Sequence, residues 1–132
     1  MSYLLDSHTL IWAITEPAKL SSKVRGILEQ RDNSILVSSV SFWEISLKFA
    51  LGKLDLQGIM PQQLSELAKE TGFELIALFA EEAATYNQLD ATWHRDPFDR
   101  MLIWQAIQNK LTIISHDKHF ANYQSVGLKV IW

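Results

Sequence analysis

The sequence contains no cysteine, which excludes both a disulfide framework and a metal site built from thiolates. It also lacks a glycine-rich phosphate loop, because Gly52, Gly58, Gly72 and Gly127 stand singly at turns or helix ends. The four histidines include no pair at the helical spacing i, i+4, so the sequence does not predict a zinc site. Basic residues are not in excess, and the net charge of −3 at pH 7 supplies no general affinity for nucleic acid.

Long apolar runs are also missing from the chain. The first stretch, MSYLLDSHTLIWAI, has no basic residue before its apolar part, and Asp6 and His8 interrupt it. It therefore predicts neither a signal peptide nor a membrane span, and we expect a cytoplasmic protein with no membrane partner. At 132 residues and 48% hydrophobic content, the chain is predicted to form one domain, residues 1–132, with its own core.

Five short apolar segments are predicted to be strands that are buried on both faces. Segments with helical spacing separate them, so that strands and helices alternate along the chain. This alternation predicts an α/β fold in which helices cover both faces of a parallel sheet. The predicted strands are Tyr3–Leu5, Ser34–Val37, Phe73–Ile76, Thr112–Ile114 and Leu128–Ile131.

Two of the predicted helices begin with clear capping signals. Asp96 is the expected N-cap of a helix that opens with proline and carries Asp99 in its first turn. Ser41 and Glu44 match the pattern of a capping box, in which a serine and a glutamate three residues later satisfy backbone N–H groups. This match predicts a helix from about Phe42 to Leu51.

Four acids are predicted to lie at one edge of the sheet. Asp6 follows the first strand directly, and Asp117 follows the fourth. Glu44 and Asp99 fall in the first turns of the helices after the second strand and before the fourth. Gathered carboxylates repel one another, and a divalent cation relieves this repulsion; an oxygen-only ligand set suits Mg²⁺ or Mn²⁺. The alternative is that each acid only caps a helix or serves its dipole.

The chain resembles the PIN (PilT N-terminus) domain family, and specifically its toxin-type ribonucleases called VapC. The resemblance spans essentially the whole chain and rests on four stretches: YLLDSHTLIW, VSSVSFWEISLKFALGKL, HRDPFDRMLIWQA and LTIISHDKHF. It implies a three-layer α/β/α sandwich with a central, mostly parallel sheet of about five strands. It also implies a metal-dependent endoribonuclease in which Mg²⁺ or Mn²⁺ activates water to attack an RNA phosphodiester. The matching motifs assign the acidic, metal-binding site to Asp6, Glu44, Asp99 and Asp117.

The same resemblance implies two protein partners, a second copy of the chain in a homodimer and a small cognate antitoxin that covers the acidic pocket. The family often has threonine where this chain has Ser7 and Ser115, so the hydroxyl is retained. Asp96 is an additional acid beside the matched one. Lys48, one turn after Glu44, is either half of a surface ion pair or a contact to a phosphate or carboxylate at the site.

A local basic rim could supply the positive charge that RNA phosphates need. Its candidates cluster around Asp99 and Asp117 in sequence and are Arg95, Arg100, Lys118, His94, His116 and His119, although His94 and His116 are by default ordinary polar loop residues. Trp43 precedes Glu44, and we interpret it as a packing or interface residue, since stacking on RNA needs an exposed ring.

Two other functional classes are compatible with a small α/β domain. A signalling receiver domain needs a pair of acids after its first strand and an acceptor aspartate after its third. Here a single acid follows the first strand, and Ala77, Leu78 and Phe79 follow the third, which disfavours that class. The other alternative is a PIN-like scaffold that binds RNA or protein without turnover.

Overall fold

The computed structural model of the protein describes residues 1–90 and 96–132, and all five predicted strands are present with ends shifted by no more than one residue. The strands are β1 (Ser2–Leu5), β2 (Ser34–Ser38), β3 (Glu74–Ile76), β4 (Thr112–Ile114) and β5 (Lys129–Ile131). The α-helices are α1 (Ser7–Thr15), α2 (Ser22–Glu29), α3 (Ser39–Ala50), α4 (Pro61–Glu70), α5 (Ala80–Thr85) and α6 (Pro97–Gln108). Shorter 3-10 helices span Pro17–Lys19, Tyr86–Gln88 and Lys118–Val126. In the part of the chain described, no helix combines the length and the apolar character needed to cross a membrane.

The five strands are parallel and lie in the order β3-β2-β1-β4-β5. The central strand is β1, where Leu4 pairs with Leu36 of β2 on one side and with Ile113 of β4 on the other. The chain moves outward from β1 to β3 and then returns to the other side of β1, so its direction across the sheet reverses between β1 and β4. Ligands of such sheets bind at this reversal, beyond the carboxyl ends of the strands.

Each face of the sheet carries its own hydrophobic core. On β1, Leu5 packs in one core with Leu10 of α1 and Leu64 of α4. Its neighbour Leu4 packs in the other core with Leu102 of α6. All five side chains are completely buried, and complete burial of a leucine contributes about 2 kcal/mol to stability. Burial on both faces confirms the predicted α/β/α arrangement.

Helix α3 begins earlier than the capping signal indicated. Its N-cap is Ser38, the last residue of β2, whose Oγ accepts a hydrogen bond from the Val40 N–H at 3.1 Å. The predicted capping box of Ser41 and Glu44 is therefore wrong, because both residues lie inside the helix and are buried. The strand passes directly into the helix, so the serine at the strand end takes the cap.

A buried polar network holds α6 against the ends of two strands. The Ser38 hydroxyl donates to Gln105 Oε1 at 2.5 Å. The Gln105 amide nitrogen donates to the Ala77 carbonyl and to Glu82 Oε1, both at 3.2 Å. Gln105 is completely buried, and a buried amide is tolerated only when it has such partners. The network therefore sets the position from which α6 presents Asp99.

We expect Gln105→Ala to lower the free energy of unfolding by about 2 to 4 kcal/mol, because it creates a cavity and leaves buried polar groups unpaired. Urea unfolding followed by circular dichroism measures this loss. Gln108→Ala, at an exposed position of the same helix, is the matched control and should cost less than about 0.5 kcal/mol. Equal losses in the two variants would show that the network does not hold α6.

Candidate active site

Asp6 is the single residue between β1 and α1. Its carboxylate caps α1 by accepting a hydrogen bond from the Thr9 N–H at 2.8 Å, and its own N–H donates to the Ile114 carbonyl of β4 at 3.2 Å. The side chain is almost completely buried. Burial raises the pKa of Asp6, although hydrogen bonds from Ser115 and Thr9 act in the opposite direction. Asp6 is therefore fixed both by the helix that it caps and by the sheet.

Glu44 projects from the buried face of α3. Only 3% of the residue is exposed. The Ser7 hydroxyl donates to Glu44 Oε1 at 2.5 Å, and the Lys48 ammonium binds Glu44 Oε2. Both oxygens of this buried carboxylate are thus oriented by partners from two helices, α1 and α3, whose residues the sequence placed beside the site.

Asp96 and Asp99 reach the same place from the first turn of α6. Asp96 Oδ1 accepts hydrogen bonds from the Phe98 and Asp99 N–H groups at 2.9 and 3.1 Å, which confirms its predicted role as N-cap. Carboxylate oxygens of Glu44, Asp96 and Asp99 lie within 4.8 Å of one another. The structure therefore brings Asp96, which the sequence offered mainly as a cap, into the acidic group.

Asp117 lies beyond the end of β4 and is partly exposed. Its N–H donates to the Ser115 hydroxyl at 3.1 Å, and its Oδ1 accepts from the His119 N–H at 2.9 Å. The His119 ring nitrogen Nδ1 is also 2.9 Å from the same oxygen. Because the Ser115 side chain hydrogen-bonds Asp6 as well, one serine links the acids that follow β1 and β4.

The acids of the site influence one another strongly. Burial raises the pKa of Asp99 to about 8, and the negative charges of four other acids add to the effect. Those acids are Asp96, Glu44, Asp6 and Asp117. The other three predicted site acids, together with Asp96, are therefore within electrostatic range of Asp99. Without a cation, the Asp99 carboxyl holds its proton at neutral pH.

The donor set fits a hard divalent cation. The group of oxygens within reach of one another consists of carboxylates, which Mg²⁺ and Mn²⁺ prefer. A bound cation would also offset the negative charges that add to the raised pKa of Asp99. Glu44, Asp96 and Asp99 are the residues placed to hold such an ion, and Asp6 and Asp117 would add negative charge beside it.

Arg100 contacts residues outside this group of acids. Its Nε donates to the Tyr86 hydroxyl at 2.9 Å, and its two terminal nitrogens donate to the Tyr123 hydroxyl at 3.0 Å and the Leu89 carbonyl at 3.1 Å. The guanidinium carbon also lies 5.4 Å from the centre of the Tyr86 ring. These contacts place Arg100 between α6 and the two 3-10 helices, and its contact to substrate stays a prediction.

The rest of the predicted basic rim is only partly described. His94 and Arg95 lie outside the described residues. Lys118 is exposed, and His119 contacts Asp117. The His116 ring lies against Trp132, with ring centroids 5.0 Å apart.

A cavity of about 250 Å³ adjoins Glu44 and contains two residues that the sequence did not single out. Ser7, Glu44 and Lys48 line it together with His8 and Lys53. His8 had a weak signal, since it follows Ser7 directly on α1. Lys53 had none, because the connection after α3 has no periodicity that predicts its direction.

Trp43 is 62% exposed and does not pack in the core. Its ring meets Phe98 edge-to-face, with centroids 4.9 Å apart. Leu47 and Leu51 follow one and two turns later and are also exposed. Trp43, Leu47 and Leu51 thus form an exposed apolar row along α3, which we call the α3 stripe. The exposure of Trp43 contradicts its interpretation as a core packing residue, whereas interface packing and RNA stacking are both compatible with it.

Comparison with known proteins identifies a family and solved structures of similar fold. The family model of the PIN domain matches residues 3–125. The chain is 24% identical over 129 residues to Ribonuclease VapC22 of Mycobacterium tuberculosis, which covers 98% of this chain and 97% of that protein. It is similar in structure to DNA-bound VapBC from Salmonella typhimurium, with a TM-score of 0.70 and 15% identity. The match covers 99% of this chain and 97% of the other. It is also similar in structure to VapBC2 from Rickettsia felis, solved bound to a promoter DNA fragment. There the TM-score is 0.67 and the identity 16%, and the match covers 99% of this chain and 98% of the other.

The raised pKa of Asp99 predicts that the metal-free protein loses stability as the pH rises. The folded state holds this proton more tightly than the unfolded chain, where the pKa is near 3.8. The contribution of this group to stability is complete below that value and is lost as the pH rises through about 8. Asp99→Asn replaces this carboxyl with a neutral amide that does not titrate. The Tm of the variant should therefore exceed that of the unsubstituted protein by an amount that grows by several degrees between about pH 6 and about pH 9.

Thermal unfolding in EDTA across this pH range measures the effect. Asp32→Asn is the control, because it removes the same charge from an exposed acid at the opposite edge of the sheet, just before β2. Saturating Mg²⁺ should reduce the advantage of Asp99→Asn. A difference in Tm between Asp99→Asn and the unsubstituted protein that stays constant with pH would contradict the raised pKa.

Proposed function

The chain belongs to the PIN domain family, and on that basis we propose that it is a metal-dependent endoribonuclease and the toxin of a toxin–antitoxin pair. The observation that carries the proposal is the group of carboxylate oxygens from Glu44, Asp96 and Asp99 within 4.8 Å of one another. The relative from M. tuberculosis is named a ribonuclease, which gives further support.

We assign the catalytic acids to Asp6, Glu44, Asp99 and Asp117, with Asp96 beside them. When bound there, Mg²⁺ or Mn²⁺ would supply Lewis acidity and lower the pKa of a coordinated water. Asp99 would release its proton as a cation binds, because the cation offsets the neighbouring negative charges. Ser7 would keep Glu44 in place through its 2.5 Å hydrogen bond to Oε1.

Thr9 and Ser115 would hold Asp6 in place while neighbouring acids gain or lose a proton. Thr9 donates its N–H to the Asp6 carboxylate, and its hydroxyl donates to the Ile114 carbonyl at 3.1 Å. Ser115 contributes the second contact and also binds the backbone of Asp117. Such preorganisation matters because the charge of a phosphoryl group in transit is best stabilised by groups that need not move.

RNA needs positive charge near the acids, although the chain is acidic overall. Lys48 and Lys53 line the cavity next to Glu44, and Lys118 is exposed beside Asp117. These side chains are candidates for contacts to the phosphates that flank the cleaved bond. The charge arrangement therefore combines a negative centre with a few local cations.

We expect Asp99→Asn to reduce RNA cleavage at least about 100-fold, because it removes a carboxylate from the metal-binding group. Gel analysis of total RNA treated with purified, antitoxin-free protein in Mg²⁺ or Mn²⁺, and in EDTA, measures cleavage. Asp6→Asn should behave like Asp99→Asn, and Asp32→Asn should cleave like the unsubstituted protein.

Two outcomes of this assay would contradict the proposal. Cleavage that persists in EDTA, or that Asp99→Asn leaves unchanged, would place the activity elsewhere. Absence of any cleavage by folded, metal-loaded protein, accompanied by RNA binding, would favour the scaffold without turnover.

We also propose that the protein forms a homodimer and binds an antitoxin, as the family resemblance implies. The solved complexes with similar folds are named VapBC assemblies, which supports an antitoxin partner. For the homodimer, the α3 stripe is the candidate surface, since its residues recur every helical turn and face solvent. A continuous row of this kind suits packing against the same helix of a second copy.

Leu51→Lys should shift the homodimer to monomer in analytical ultracentrifugation. Leu51 lies at the carboxyl end of α3, where a cation interacts favourably with the helix dipole, so the fold should be retained. The control is Gln108→Lys, which introduces the same charge at an exposed position at the carboxyl end of α6. A dimer that survives Leu51→Lys, or an unsubstituted protein that is monomeric, would show that the stripe has another role.

A further inference from the structure

The Lys48 ammonium lies against two carboxylates of the acidic group. It lies on α3 one turn after Glu44, and its ammonium binds Glu44 Oε2. The same nitrogen is 3.9 Å from Asp96 Oδ2. The Lys48 side chain is one-third exposed, whereas that of Glu44 is almost completely buried. The positive charge is therefore held at the mouth of the group and not on the open surface.

The oxygens that Lys48 faces belong to the candidate metal ligands. Glu44 and Asp96 are two of the three acids whose carboxylate oxygens lie within 4.8 Å of one another. A lysine ammonium is a compact positive charge with three hydrogen-bond donors, so it can neutralise carboxylates much as a metal ion does. An ordinary surface pair on a helix has both partners exposed, as Lys69 and Glu66 do at 3.3 Å. The Lys48 pair differs because its acid is buried within the site.

We propose that Lys48 is an internal counter-cation of the acidic group, which neutralises Glu44 and Asp96 in the metal-free protein and must withdraw when a divalent ion binds. This inference rests on the proposed metal site. Lys48 thereby weakens the affinity for the ion, because the ion must displace an ammonium as well as water. On withdrawal the ammonium remains beside the cavity that Lys48 lines with Lys53.

The test is the affinity for Mn²⁺ in the absence of RNA, measured by isothermal titration calorimetry. Lys48→Met keeps the aliphatic stem and removes the charge, so we expect binding to tighten roughly tenfold. Lys48→Arg retains the charge and should stay within about twofold of the unsubstituted protein. Lys69→Met changes the net charge equally at an exposed pair and should have no effect.

Two results would overturn the proposal. Unchanged affinity in Lys48→Met would make the pair incidental, and weaker affinity would mean that Lys48 holds Glu44 in a binding position instead of competing for it. This assay contains no RNA, so it tests the role of Lys48 separately from the nuclease activity. If the proposed nuclease function is wrong, the protein would still bind the ion but would not cleave RNA.

A second measurement uses the unsubstituted protein, so it does not depend on whether a variant folds. Acetylation of lysines by acetic anhydride, followed by mass spectrometry, reports how accessible each ammonium is. Saturating Mg²⁺ should increase labelling of Lys48 several-fold and leave Lys69 unchanged. Equal labelling of Lys48 with and without Mg²⁺ would show that the ammonium does not withdraw.

Discussion

Everything at the site depends on the parallel pairing of β1 with β2 on one side and β4 on the other. Because the strands are parallel, their carboxyl ends meet at the same edge, and the residues that follow them are brought together. Asp6 extends the ladder by one more hydrogen bond, to Ile114. A shift of register by one residue would exchange the two faces of β1, which are both buried, and would turn Asp6 away from Glu44.

Bringing the acids together costs free energy through charge repulsion, and hydrogen bonds, helix dipoles and a lysine ammonium reduce that cost. Asp6 and Asp96 each accept backbone N–H groups at the beginning of a helix, where the dipole favours negative charge. Glu44 is satisfied by a hydroxyl and an ammonium. Burial and the charges of the neighbouring acids together raise the pKa of Asp99 to about 8.

Much of the fold could be predicted from the sequence, because apolar strands and the Asp96 cap are local signals. The start of α3 could not, since Ser38 and Ser41 both satisfy the local capping rule and only the end of β2 decides between them. The role of Gln105 was also hidden, because its partners come from strands and helices remote in sequence. For the same reason the distance between Asp96 and Glu44 followed only from the packing of α6 against α3.

Two strand–helix junctions at the site contain no loop, since Asp6 alone separates β1 from α1 and β2 runs directly into α3. An inserted residue at either junction would rotate its acid away from the others. The connection between α3 and α4, residues 51–60, has no such constraint and carries Lys53 beside the cavity. Changes in chain length during evolution should therefore accumulate in that connection, so that recognition of the substrate diverges while the chemistry is inherited unchanged.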